Sequence, residues 1–184
     1  MPDGRPTTSR VEGAPALAVH DWGGDGPPAL LAHPTGFHGL TWAPVARALR
    51  DAGRHVWSFD FRGHGDSDRS PTGYHWDGFV DDAARVGEHV GVLDDPRLLG
   101  VGHSKGAAAL LVLESRRPGS FGRLWCYEPI VFPTDRPLER AEDAPLAVGA
   151  RKRRDAWPDR EAALEGFASR PPLDVLDPEV LRAY

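Results

Sequence analysis

Apolar residues fall into short runs of two kinds along this chain, and the two kinds alternate. Runs over 16–22 and 29–33 are separated by Gly23-Gly24-Asp25-Gly26-Pro27-Pro28, a turn-forming stretch, and together they predict a hairpin-like pair of strands. A helix is expected to begin at the cap Thr41, to carry Val45, Ala46 and Leu49 on one face, and to stop at Gly53. A strand over 55–60 follows at once. Trp76, Phe79, Val80, Ala83, Val86 and Val90 then recur at helical spacing, giving one apolar face to pack on a sheet. Further on come a strand over 98–103, a helix over 107–114 and a strand over 124–128. This order predicts an α/β fold: a mostly parallel sheet with helices on both faces, and ligands at the carboxyl ends of its strands.

The two ends of the chain differ from this core. Residues 1–14 are rich in Pro, Gly, Thr and Ser without periodicity and are expected to form a flexible N-terminus, leaving 15–132 as the core. From 133 to 184 strands vanish, Pro and charge rise, and short helical segments such as 160–167 appear, so this part is expected to be a helical lid segment. Asp177-Pro178-Glu179 is a strong helix start, yet only about two turns follow it. The expectation is therefore of an incomplete lid and a core whose C-terminal part is missing.

Composition narrows the function. With 184 residues, 40% apolar and 27% charged, the chain suits one soluble globular domain. Its apolar runs fall short of the roughly 20 residues that cross a bilayer, and MPDGRPTTSR has no apolar signal region, which predicts a cytoplasmic protein without a membrane partner. Cys126 is the only cysteine, which excludes an intrachain disulfide and a thiolate zinc cluster. A net charge of −5 offers nucleic acid no basic field, and the run from Arg151 to Arg154 reads as a solvated helix face. The expected partner is a small-molecule substrate.

Gly102-His103-Ser104-Lys105-Gly106 fits G-x-S-x-G between a predicted strand and a predicted helix. A tight strand-to-helix turn pushes Ser104 Oγ out above the sheet, and residues two positions either way must be small, hence Gly102 and Gly106. The turn places the Lys105 backbone N–H at a helix N-terminus, where it can stabilise an oxyanion. The Lys105 side chain is expected to pair with a nearby carboxylate on the surface. Gly100-x-Gly102 is not a dinucleotide fingerprint, since its third glycine position is Lys105, and no phosphate-binding G-x-x-x-x-G-K-[ST] occurs.

These residues resemble the α/β-hydrolase family, at three places in the right order. Besides the Ser104 turn, His33-Pro34-Thr35-Gly36-Phe37 followed by Trp42 resembles the family's oxyanion loop, usually H-G-x-x-G, with Pro34 where glycine is usual. The resemblance assigns the second oxyanion N–H to the backbone of Thr35. Asp60-Phe61-Arg62-Gly63-His64-Gly65-Asp66-Ser67 is similar to the family's D-x-R-G-x-G-x-S loop, in which glycines permit the turns and Asp60 and Arg62 tie the loop down. His64 and Asp66 lack the further ligands a metal site needs. Glu128, ending the strand after the Ser104 helix, is either the triad acid, as in some members of the fold, or a loop anchor at the strand's edge.

In this fold the triad runs in the order Ser, acid, His, yet all eight histidines lie at or before His103, which itself points away from Ser104 in such a turn. The resemblance thus implies a metal-free, cofactor-free serine hydrolase acting on a small ester, lactone or related carbonyl compound, and inactive without its histidine. A non-catalytic small-molecule binder and a carbon–carbon bond hydrolase are the alternatives.

Overall fold

In a computed structural model, residues 4–131, 148–149, 151–152, 154, 156–171 and 173–184 are described. The chain divides into two compact units, Met1–Ile130 with Ala183–Tyr184 and Val131–Arg182.

The first unit is built on a six-stranded sheet: β1 (Thr7–Val11), β2 (Leu17–Gly23), β3 (Pro28–Ala32), β4 (His55–Phe59), β5 (Leu99–His103) and β6 (Arg123–Tyr127), in the spatial order β1-β2-β4-β3-β5-β6. From β4 onward the pairs β4/β3, β3/β5 and β5/β6 are parallel, while β1/β2 and β2/β4 are antiparallel. The expected hairpin of β2 with β3 does not form, because β4 lies between them. Every residue of β3 is buried, as suits a central strand covered on both faces, and parallel neighbours on both sides satisfy its backbone.

The expected flexible stretch over 1–14 also requires correction. Thr7–Val11 pairs with β2 from Thr7↔Asp21 to Val11↔Leu17. Its first four residues are exposed, so the polar composition is that of an edge strand, ordered by backbone hydrogen bonds and not by burial.

Three helices cover the sheet: α1 (Ala43–Asp51), α2 (Trp76–His89) and α3 (Lys105–Arg116). Alternate residues of β3 enter two separate cores. Leu30 and Ala32 join Phe59, Phe61, Phe79, Val86 and Leu110 on the α2/α3 side, whereas Ala29 and Leu31 join Ala43, Ala46 and Val56 on the α1 side. Helix α1 begins later than its expected cap. A 3-10 turn, Gly39–Trp42, precedes it, and the Thr41 hydroxyl donates to His38 O (2.7 Å) within that turn.

From β3 the chain moves to β4 on one side, then returns across β3 to β5 on the other. The crevice where the order reverses lies at the carboxyl ends of β3 and β5, the preferred ligand position in such sheets. Those ends lead to His33 and Ser104.

In the second unit, the helix Arg160–Ala168 is capped by Asp159, whose side chain accepts from Ala162 N (2.8 Å), and Trp157 packs edge-on against Phe167. Helix Pro178–Ala183 starts where its sequence signals place it, with Asp177 accepting from Glu179 N (2.8 Å). Residues 132–147, where the expected lid segment begins, lie outside the described residues. No helix among the described residues is long and apolar enough to cross a membrane.

Candidate active site

Ser104 occupies the turn between β5 and α3 at φ 51°, ψ −115°, a left-handed conformation that a side chain rarely adopts. The surroundings hold it there. Its amide donates to Tyr127 O (2.9 Å), and its carbonyl accepts from Ala108 N (3.0 Å) as the first turn of α3 closes. A Cβ on Gly102 would stand 2.5 Å from the Ala107 backbone, and one on Gly106 would stand 2.2 Å from Ala32 O and 2.8 Å from His33 O. The small residues are therefore required by backbone contact on both sides. The Gly106 contact also brings the N-terminus of α3 against the end of β3, where the loop carrying Thr35 begins. Gly106→Ala should lower stability by about 2–3 kcal/mol, since only backbone movement could relieve the overlap. Urea denaturation would test this, and an unchanged midpoint would mean the strand and helix are not in such close contact.

The His33 loop is pinned from beneath. The buried His33 ring donates from Nδ1 to Pro34 O (2.8 Å) and accepts at Nε2 from Phe61 N–H (3.0 Å), tying the loop after β3 to the end of β4. Burial first, then the neighbouring Lys105 and His64, hold its pKa well below the ordinary histidine value. Pro34 O also accepts from Phe37 N (3.3 Å), and Gly36 takes φ 81° to close the turn around exposed Thr35.

The loop after β4 is anchored by two carboxylates. Asp60 accepts from Gly39 N (2.6 Å), His20 Nε2 (3.2 Å) and Asp66 N (2.8 Å). Burial opposes its charge, but the bonds from His20 and from the Gly39 and Asp66 amides outweigh it and hold the carboxyl at about 2. Asp82 of α2 receives Arg62 through two guanidinium bonds (2.9 and 2.8 Å) and the Arg62 amide (3.0 Å), with Asp82 fully buried.

The Lys105 side chain departs from expectation. It is not on the surface paired with a carboxylate but 3% exposed, with Nζ 3.2 Å from His64 Nε2 and over the rings of Phe61 and Phe79 at 4.5 and 4.6 Å. His64 Nδ1 donates to Arg62 O (3.0 Å), which leaves Nε2 as the acceptor for the amine. Burial draws the Lys105 pKa from 10.5 down to about 7, against the attraction of Asp82. Burial and Lys105 likewise lower the pKa of His64. Lys105 and His64 line a cavity of about 380 Å³ together with Thr35, Gly63, Tyr74, Trp76 and Phe79. A local signal existed for this: KGAAALL has no acid within one helical turn of the lysine, so a surface pair had no partner on its own helix.

Glu128 has φ 45° and follows the residue whose carbonyl binds the Ser104 amide. Its side chain is 72% exposed, with His103 Nε2 4.0 Å from its carboxylate. The His103 ring packs against Tyr127 at 4.9 Å between centroids. The structure thus places Ser104, the Lys105 amide and the Thr35 loop around one end of the sheet, and puts Glu128 in the adjoining loop with no direct bond to Ser104.

The sequence profile described as the Alpha/beta hydrolase family matches residues 29–184. The chain belongs to that family. Among solved members of the α/β-hydrolase fold, it is similar to a thioesterase domain from the curacin biosynthetic pathway at 26% identity and a TM-score of 0.76, covering 96% of this chain and 65% of that one. It also shares its fold with a Vigna radiata epoxide hydrolase mutant, at 23% identity and a TM-score of 0.60, covering 66% of this chain and 38% of that one. The fold recurs in the N-formylmaleamic acid deformylase from Pseudomonas putida S16, at 22% identity and a TM-score of 0.61, with 74% and 53% covered. The chain therefore spans between about two fifths and two thirds of the length of these α/β-hydrolase structures.

Proposed function

We propose that this α/β-hydrolase chain carries the acyl-transfer half of a serine hydrolase site. Ser104 Oγ attacks the carbonyl of a small ester, thioester or lactone as its proton passes to the base, and the amides of Thr35 and Lys105 hold the oxyanion. An acyl-serine forms as the C–O or C–S bond breaks and the base returns the proton to the alcohol or thiol, which in a lactone stays tethered. The observation that carries the reading is the φ 51°, ψ −115° of Ser104 at the start of α3, enforced by Gly102 and Gly106. Such a conformation is costly, on the order of 1–3 kcal/mol, and is retained where it aims a nucleophile. Likeness to a thioesterase domain supports the same bond class. Glu128 is the proposed acid that orients the base, and its own left-handed backbone supports a functional position.

The base itself is an imidazole that no residue after Ser104 supplies, since the eight histidines end at His103. The 184 residues alone are accordingly proposed to be nearly inactive. Exogenous imidazole tests this. Once the rate with imidazole alone is subtracted, hydrolysis of p-nitrophenyl butyrate should be near background without imidazole and rise with it, and the subtracted rise should vanish in Ser104→Ala measured under the same imidazole. Equal rates in both proteins at every imidazole concentration would refute Ser104 as nucleophile and favour non-catalytic ligand binding. A full Ser104-dependent rate without imidazole would instead identify an internal base before Ser104.

A further inference from the structure

We propose that the cavity beside the Ser104 turn binds a small organic carboxylate, its anionic head ion-paired with Lys105 Nζ and its apolar body held against Tyr74, Trp76 and Phe79. The inference deepens the hydrolase reading, since it rests on that reading for the claim that the ligand is a carboxylate-bearing substrate; the binding itself does not.

The charges around the cavity are one anion short. Among the described residues, no carboxylate lies within ion-pair distance of Lys105 Nζ, whose hydrogen-bond partner is the neutral nitrogen of His64. The titratable groups facing the amine from the neighbouring elements are His33 after β3, His64 after β4, and Asp82 on α2. Neither histidine can supply a negative charge, and Asp82 is engaged by the two guanidinium bonds of Arg62, with Arg85 4.0 Å away. One negative charge thus serves Arg62 and Arg85 before it can serve Lys105. The two phenylalanine faces stabilise an ammonium ion only weakly, by less than its lost hydration. A carboxylate entering the cavity supplies the missing charge next to an amine that is itself almost wholly buried.

The rest of the cavity selects the kind of carboxylate. About 380 Å³ is near the lower bound of small-molecule sites, and the remaining lining is mainly aromatic. Tyr74 and Trp76, each about half exposed, stand at its rim. This arrangement favours a monocarboxylate with a compact apolar body over a multiply charged anion. Because Thr35 also lines the cavity, a bound acid lies beside the proposed oxyanion loop.

Calorimetric titration with 3-phenylpropionate and with 3-phenylpropanamide tests the assignment on the 184-residue chain. At pH 6 the carboxylate should bind at least about tenfold more tightly than the amide, and Lys105→Met should abolish that preference. Between about pH 7 and pH 9 the wild-type affinity should fall by roughly tenfold per unit, with a proton taken up on binding, because the carboxylate selects the ammonium form of Lys105. Proton uptake is read from the buffer dependence of the enthalpy and needs no variant. Equal binding of acid and amide, a preference that survives Lys105→Met, or binding without proton uptake at pH 8 would overturn the proposal. Ser104→Ala should retain the preference. Carboxylate binding with no Ser104-dependent ester cleavage would defeat the hydrolase reading alone, and cleavage without carboxylate preference would defeat this one alone.

Discussion

Lys105→Met should make the protein more stable at pH 6 by about 2–4 kcal/mol, and the gain should shrink as the pH approaches 10. Moving the lysine pKa from 10.5 to about 7 corresponds to a penalty on the order of 5 kcal/mol for holding the ammonium ion in its buried place. Methionine removes that penalty but leaves His64 Nε2 without its donor, which offsets roughly 1–3 kcal/mol. The pH dependence follows from proton counting. Below about pH 7 folded and unfolded chains both bind the proton, and the penalty is present in full. Between about pH 7 and 10.5 the unfolded chain binds more protons than the folded one, so wild-type stability rises with pH through this window. The methionine variant lacks that rise. Urea denaturation of both proteins at pH 6 and pH 10 measures it, and the same difference at both pH values would show that the amine is not held in an apolar place. A charged group retained against stability is what a binding role for Lys105 would require.

Asp82→Ala should destabilise the first unit by about 3–5 kcal/mol, the opposite direction from Lys105→Met. The substitution leaves the Arg62 guanidinium, itself largely buried, with no carboxylate in hydrogen-bond reach, and removes the acceptor of the Arg62 amide. It also withdraws the negative charge that favours the Lys105 ammonium ion. Replacing both partners by apolar residues, Arg62→Met with Asp82→Leu, should recover much of the loss, because the expensive species is the unpaired ion and not the absence of the pair. Thermal and urea unfolding of Arg62→Met, Asp82→Leu and the double variant make a cycle that reads the coupling directly. A loss below about 1 kcal/mol in Asp82→Ala would place the pair in water, contrary to the buried geometry.

How far the sequence carries can be judged residue by residue. The Ser104 turn was legible because its requirements are local: a strand, five residues with glycine at both ends, and a helix leave little choice of backbone, and the clashes that forbid larger residues come from Ala107 and from the neighbouring strand end. The alternation of strand and helix, the amphipathic face of α2 and the start of the helix at Pro178 were legible for the same reason, since periods and caps are written within one or two turns.

The order of strands was not. β2 and β3 are adjacent in sequence and joined by turn residues, yet β4 separates them, because a strand buried along its whole length satisfies its backbone and both its faces only in the middle of the sheet. Thr7–Val11 carries no burial pattern and becomes a strand only when β2 presents an edge to it. The Lys105 side chain is the sharpest case. Its sequence neighbours identify the amide as an oxyanion donor, but where the amine goes is settled by His64, 41 residues away, and by the rings of Phe61 and Phe79, which meet α3 only across the folded core. Sequence by itself therefore determined the backbone of the proposed catalytic turn and the family, while the tertiary structure decided the charge and shape of the cavity next to it, because the forces that set them, desolvation and contacts between distant segments, do not exist until the core has closed.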